Sequence, residues 1–298
     1  MLSLRLEKVQ LTGVKATLLA TLFARALESR SQDPILGDPW AESMVGRVDY
    51  EFHKTGIGRN DAVAVAIRAK QLDEWTARFL AHYPCATVVN LGCGLDSRPY
   101  RIDAGPDVAW YDVDYPDVID LRARLFPVRP GSTLIAASVM DADWLKTIPA
   151  HEPVMIVAEG LLYYFSRNDV HRLIQRLTGH FRNGFLAFDT MNQYALQLMR
   201  SHPAIVASGV SLQWALEDPH LIESYSPALR CIQALSTAES QHIRKMDFTR
   251  QWFYEVYRGI PWISRSSQLI LCEFKAERNP TDASCSHASD DAGQCSLG

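Results

Sequence analysis

Six cysteines are spread over 298 residues, and no two of them stand in a Cys-x-x-Cys pair. Zinc-site spacing and a thioredoxin-like redox motif are therefore both missing. His53, His171 and His202 stand apart from one another, so no metal is expected. Several cysteines sit in apolar runs, where a free thiol behaves as a small hydrophobe. A reduced, cytoplasmic protein is the expectation. No apolar run approaches the roughly 20 residues of a membrane span, which speaks against a membrane partner. Charge of one sign is also scarce: the formal net charge is -4, and the Lys and Arg residues form no stripe. Nothing here attracts a phosphate backbone, so nucleic acid is not an expected partner.

What is present points to a packed α/β protein. Near the N-terminus, Lys8 and Lys15 precede the run ATLLATLF, and Ala24-Arg25-Ala26 imitates a small-residue cleavage site. Two threonines interrupt that short run. An amphipathic helix is the better reading, with Leu11, Val14, Leu18, Leu22 and Arg25 on one stripe. A second helical pattern runs from about Asp61 to Ala81 and carries Ile67, Leu72, Trp75 and Phe79. From residue 85 onward, β-branched and apolar segments alternate with helical patterns: 86–91, 108–114, 132–138, 153–160 and 185–191. Such alternation predicts a doubly wound parallel sheet, Rossmann-like, with a helical cap at the N-terminus and a second one inserted late. Ser166 and Asp169 form a capping-box pattern ahead of Val170, Leu173, Ile174, Leu177 and Phe181. The expected division is an N-terminal cap over 1–84, a cofactor-binding core over 85–191, and cap helices with a final edge strand (267–276) over 192–276. Residues 277–298, rich in Ser, Asp, Ala and Gly, read as a disordered tail.

In an open parallel sheet, ligands bind beyond the carboxyl ends of the strands, first of all at the first strand-to-helix turn. VVNLGCGLDS (88–97) places Gly92 and Gly94 there. Gly92 can take a positive φ, and Gly94 removes a side chain that would block a ligand over the turn. Asp114 ends the next strand, twenty residues after Gly94, a spacing that suits an acid accepting both ribose hydroxyls of an adenosine. Asp112 is the alternative on the same strand face. Ser97 stands where a dinucleotide fingerprint wants its third glycine, and the one Tyr-x-x-x-Lys, Tyr50 to Lys54, precedes the loop instead of following it. An NAD-dependent oxidoreductase is thereby disfavoured, and a non-catalytic module binding the same nucleoside is the other rival.

Four segments in this order, VVNLGCGLDSRPYR, WYDVDYPDVIDLR, SVMDADWL and AEGLLYYF, resemble the successive motifs of the leucine carboxyl methyltransferase family. TLLATLFARALESRSQDPILGDPWAESM (17–44) is similar to the opening of its bacterial branch, which includes polyketide O-methyltransferases of the tetracenomycin type. The resemblance spans roughly residues 10–276. It implies a class I fold that uses S-adenosylmethionine (SAM). Within it, Gly92 lies under the amino acid moiety and Asp114 holds the ribose. Ser138 and Val139 border the adenine, Glu159 closes the site near the amino group, and Arg68 pairs with the carboxylate.

Methyl transfer from a sulfonium depends on alignment more than on acid or base help. A carboxylate acceptor is already ionised at neutral pH. A hydroxyl acceptor would gain from a base, for which Tyr164, Asp189 and His202 are candidates. Arg98 and Arg101 read as decoration of the turn or helix after the loop, Cys93 as a small filler, and the Asn90 amide as a brace for the turn. The expected function is a SAM-dependent O-methyltransferase acting on a carboxylate or hydroxyl of a small-molecule acceptor, polyketide-like or another secondary metabolite. A protein C-terminal leucine carboxylate is the rival acceptor.

Overall fold

The computed structural model describes residues 6–9, 11–257 and 259–275, so the expected tail at 277–298 lies outside the described residues. Along the chain come α1 (Thr17–Ser29), α2 (Pro39–Val45) and α3 (Arg59–His82), then β1 (Thr87–Leu91), α4 (Arg98–Arg101) and β2 (Ala109–Asp114). There follow α5 (Pro116–Leu125), β3 (Ser132–Ala136), β4 (Val154–Ala158), α6 (Arg167–His180) and β5 (Asn183–Met191). The last third holds α7 (Gln193–Met199), α8 (Pro203–Ser208), β6 (Leu229–Ser236), α9 (Phe248–Tyr257) and β7 (Ser267–Lys275).

These seven strands form one sheet in the order β3-β2-β1-β4-β5-β7-β6, and Glu7–Lys8 pairs with Val48–Asp49 in a separate two-stranded sheet. β1 to β5 run parallel, and β7 is antiparallel to both of its neighbours. This places β7 inside the sheet. The expectation of an edge strand at 267–276 is thus corrected: β6 is the edge, and the 192–276 segment contributes two strands to the sheet as well as helices.

Strand periodicity sorts the core. Val88, Trp110, Met155, Val157 and Ala187 turn to one face and pack under Leu72, Trp75 and Phe79 of α3. Val89, Leu91, Val113, Ile156 and Leu186 turn to the other and meet Val170, Leu173, Ile174 and Leu177 of α6. Those four α6 side chains are at most 1% exposed, and burying each stabilises the fold by about 1.5–3 kcal/mol. α6 starts where the Ser166 Oγ accepts the Asp169 N–H, while the serine hydroxyl donates to the Asp169 carboxylate.

α3 is therefore a sheet-covering helix for most of its length, and only its N-terminal half reaches the ligand edge. The cap proper comes from α1 and α2, which share an apolar cluster with Leu121 and Leu125 of α5. Leu22 and Arg25, from the stripe expected for α1, are buried. Among the described residues, no helix is long and apolar enough to cross a membrane.

Candidate active site

A cleft of about 360 Å³ opens at the carboxyl ends of β1, β2 and β4 and is roofed by the 13–21 segment. That volume falls in the range of small-molecule sites, about 300–1,000 Å³. Its floor is the glycine turn. Gly92 has φ +62° and its N–H donates to the Val113 carbonyl. A Cβ on Gly92 would come within 2.7 Å of Leu161 Cδ1 and force that side chain aside, and the positive φ itself favours glycine. Gly94, φ +47°, lies under Leu18 of α1, whose Cβ would be 3.4 Å from an added Cβ.

The two aspartates of β2 have different surroundings. Asp112 is buried and used up: Arg122 donates to Oδ2 through Nε and Nη2 at 3.1 and 2.8 Å, and Asn90 and Trp110 donate to Oδ1. Arg122 also caps the Gly94 and Asp96 carbonyls, so this pair braces the turn from behind. The Asn90 amide reaches the turn through Asp112. Asp114 lines the cleft instead. It accepts only backbone N–H groups, from Gly94 (2.8 Å) and Tyr115 (2.7 Å), and burial pushes its carboxyl above the usual range against their pull. Lone pairs remain for a ligand.

At the other end stands Glu159. Burial disfavours its charge, but Arg68 and Arg98 outweigh that and hold its carboxyl below the usual range. Arg68 Nε donates to Oε1 at 3.0 Å and Arg98 Nη2 to Oε2 at 2.5 Å. Arg68 Nη1 also meets Asp189 Oδ2 at 3.2 Å, while Asp189 Oδ1 accepts the Gly160 N–H at 2.6 Å.

Behind this end lies an ion cluster that corrects the reading of Arg98 and Arg101 as surface decoration. Arg98 is fully buried, bound to Asp73, Asp96 and Glu159. Arg101 reaches Asp38, Asp73 and Asp96, and Arg25 adds a contact to Asp38 and one to the Leu95 carbonyl. Asp38 caps α2, so cap, α3 and glycine turn are tied at one point. Little in the local sequence marks these arginines: Asp96 is close by, but Asp38, Asp73 and Glu159 are 25 to 63 positions away.

Of the residues expected to bind cofactor, Arg68, Gly92, Gly94, Asp114, Val139 and Glu159 line the cleft. Ser138 does not: its Oγ accepts the Met140 N–H, and Ala137 lines the cleft beside Val139. Among the candidate bases only Tyr164 reaches the cleft, with its hydroxyl donating to Thr17 at 3.2 Å. Asp189 stands behind Arg68. His202 is the N-cap of α8: its Nδ1 accepts the Ala204 N–H, and its Nε2 faces Asp61 at 3.6 Å. Leu161 and Phe165 of the AEGLLYYF segment, with Val210 and Gln213, which no sequence motif marks, complete the mouth.

The family model for leucine carboxyl methyltransferases matches residues 18–178. The chain belongs to the leucine carboxyl methyltransferase family. It is 40% identical over 268 residues to the tetracenomycin polyketide synthesis O-methyltransferase TcmP of Streptomyces glaucescens, covering 90% of this chain and 99% of that one. To the S-adenosyl-L-methionine-dependent methyltransferase dpfgK of Gibberella zeae it is 35% identical, over 75% of this chain and 82% of that one. A crystal structure of a DUF574 family protein from Streptomyces avermitilis shares the fold, with a TM-score of 0.58 at 12% identity over 89% of this chain and 98% of that one. The protein is a SAM-dependent O-methyltransferase, and SAM is its methyl donor. The donor set of the cleft fits that molecule. An acceptor-only carboxylate, Asp114, suits two hydroxyls, and a Glu159–Arg68 pair suits a zwitterionic amino acid. Between them the glycines leave room, and Ala137 and Val139 offer an apolar edge.

Proposed function

We propose that this O-methyltransferase acts on a carboxylate of a small, polyketide-like acceptor. The observation that carries the carboxylate is the lack of a free base. Among the described residues no histidine lines the cleft, and each carboxylate that does, Asp96, Asp114 or Glu159, is held by arginines or backbone N–H groups. Burial pushes the Tyr164 hydroxyl above its usual range, which keeps it protonated. A carboxylate acceptor needs no proton removed, whereas a phenol does. The polyketide clause is supported by the kinship to TcmP, whose own name ties it to polyketide synthesis.

Bound SAM supplies a methyl group on a sulfonium, with a neutral thioether as leaving group. The chain's part is positioning, which carries most of the rate in such a reaction. Asp114 accepts the ribose hydroxyls, and Ala137 and Val139 border the adenine. Glu159 holds the ammonium, Arg68 the carboxylate, and Gly92 leaves space beneath them. Leu161, Tyr164, Phe165 and Val210 form the acceptor wall. α1 and α2, with the 210–213 segment, cap the cleft at the edge of the 85–191 core.

The test is methyl transfer from labelled SAM to a panel of aromatic carboxylic acids, matched phenols, and a peptide ending in leucine. A base-labile methyl ester on an aromatic acid is expected. Label found only in base-stable ethers, or only in the peptide, would overturn the acceptor assignment.

A further inference from the structure

Outside the cleft, two thiols face each other across the edge of the sheet. Cys231 of β6 and Cys272 of β7 are directly opposed partners in an antiparallel pair, just before a bulge that offsets Gln233. Facing residues in such pairs have Cα atoms about 4.5–5.5 Å apart, inside the about 4.4–6.8 Å that a disulfide spans. Both thiols are free and reduced, and the Cys231 thiol donates to the Gln233 carbonyl at 3.9 Å. Cys272 is buried, while Cys231 is half-buried on the outermost strand and so open to small solutes.

The helical turn before β6 adds a polar constellation. Glu223 Oε1 accepts the Cys231 N–H at 3.0 Å and stands 3.0 Å from His220 Nδ1. His220 is exposed, and its bond to Glu223 raises its affinity for a proton. The facing Cys272 thiol, with the His220 charge adding, pushes the Cys231 thiol down to about 7. Cys272 moves the other way, held protonated by the facing Cys231 and by burial. Low thiol pKa, access and a neighbouring second thiol are the features of a redox-sensitive cysteine.

We propose that Cys231 and Cys272 form a peroxide-reactive dithiol, with Cys231 as the attacking thiol and Cys272 as the resolving one. In the first step the Cys231 thiolate attacks one peroxide oxygen. The S–O bond forms, the O–O bond breaks, and the leaving hydroxide takes a proton to become water. In the second, the Cys272 sulfur attacks the Cys231 sulfenic sulfur. The S–S bond forms, the S–O bond breaks, and hydroxide leaves with the Cys272 proton as a second water. One peroxide is reduced to two waters as two thiols become one disulfide. The product would staple the edge strand to the sheet, away from the cleft, which neither cysteine lines.

The experiment exposes the full chain to hydrogen peroxide at pH 7 and maps its cysteines by mass spectrometry, with and without a sulfenic-acid trap. A mass loss of two hydrogens and a Cys231–Cys272 linked peptide are expected. Cys272→Ala should leave Cys231 as a trappable sulfenic acid, Cys231→Ser should yield no bridge at Cys272, and His220→Ala should slow the reaction several-fold. The wild-type map alone keeps the proposal falsifiable if the Cys272 variant fails to fold. Unmodified Cys231, or a bridge from it to Cys85, Cys93, Cys285 or Cys295, would overturn it.

Discussion

Two of the carboxylates that line the cleft, Asp114 and Glu159, lie in opposite surroundings. Asp114 meets only backbone N–H groups, and burial raises its carboxyl above the usual range. Glu159 is gripped by Arg68 and Arg98, which overcome burial and lower it. A carboxylate with neutral neighbours and spare lone pairs suits neutral hydroxyl donors, whereas one embedded among arginines suits a site for charged groups of both signs. The contrast teaches that one end of the cleft is built for hydrogen bonding and the other for charge, which is what the proposed placement of the nucleoside and the amino acid moiety uses.

The largest effect is expected from removing the lone acid. Asp114→Ala forfeits two hydrogen bonds to a charged group, each worth about 1.5–3 kcal/mol. SAM affinity should fall by about 100-fold or more in calorimetry, with the thermal unfolding transition retained. If affinity were unchanged, the nucleoside end would be misassigned. Next comes the other end: Arg98→Met takes one buried partner from each of Asp73, Asp96 and Glu159, leaving Arg101 to the first two and Arg68 to the third. Losing one partner of a buried ion pair costs about 3–5 kcal/mol, to be read by denaturant unfolding. By contrast Arg124→Ala, whose pairs to Glu7 and Asp120 are exposed, should cost under about 1 kcal/mol.

A subtler separation lies in pH. Asp114 must be ionised to accept two hydroxyls, and its folded pKa lies above 3.8, so SAM affinity should drop as pH falls through that raised value. The loss should approach tenfold per unit below it, and Asp114→Asn should abolish the dependence. Glu159 is depressed below 4.5, so its stabilising contribution is present above the unfolded value and is lost only as pH falls through the lower folded one. Its limb therefore follows that of Asp114 on acidification. A small effect, outside the cleft, is expected at His202: His202→Ala removes a helix cap, costs about 1 kcal/mol in unfolding, and leaves kcat and SAM affinity unchanged.

The parallel core and the glycine turn were legible because they depend on local patterns: alternating apolar strands, a Gly-x-Gly at a strand end, an acid at the end of the next strand. β6 was not, because the bulge between Cys231 and Gln233 breaks the two-residue alternation that marks a strand. Arg98 and Arg101 looked like surface residues because burial of an arginine depends on partners supplied by distant segments, here Asp38 of the cap and Asp73 of α3. His202 carried a readable signal: it directly precedes Pro203, the pattern of an N-cap followed by proline at the first helical position. Ser138 stands in a motif whose other residues point to the cleft, but its hydroxyl accepts the Met140 N–H in a local turn.

The most direct measurement is a crystal structure of the protein with the demethylated product of SAM. Both ribose hydroxyls should lie within hydrogen-bond distance of the Asp114 carboxylate, and the amino acid moiety should lie between Arg68 and Glu159. A nucleoside held elsewhere in the cleft, or bound with its ends reversed, would contradict the account.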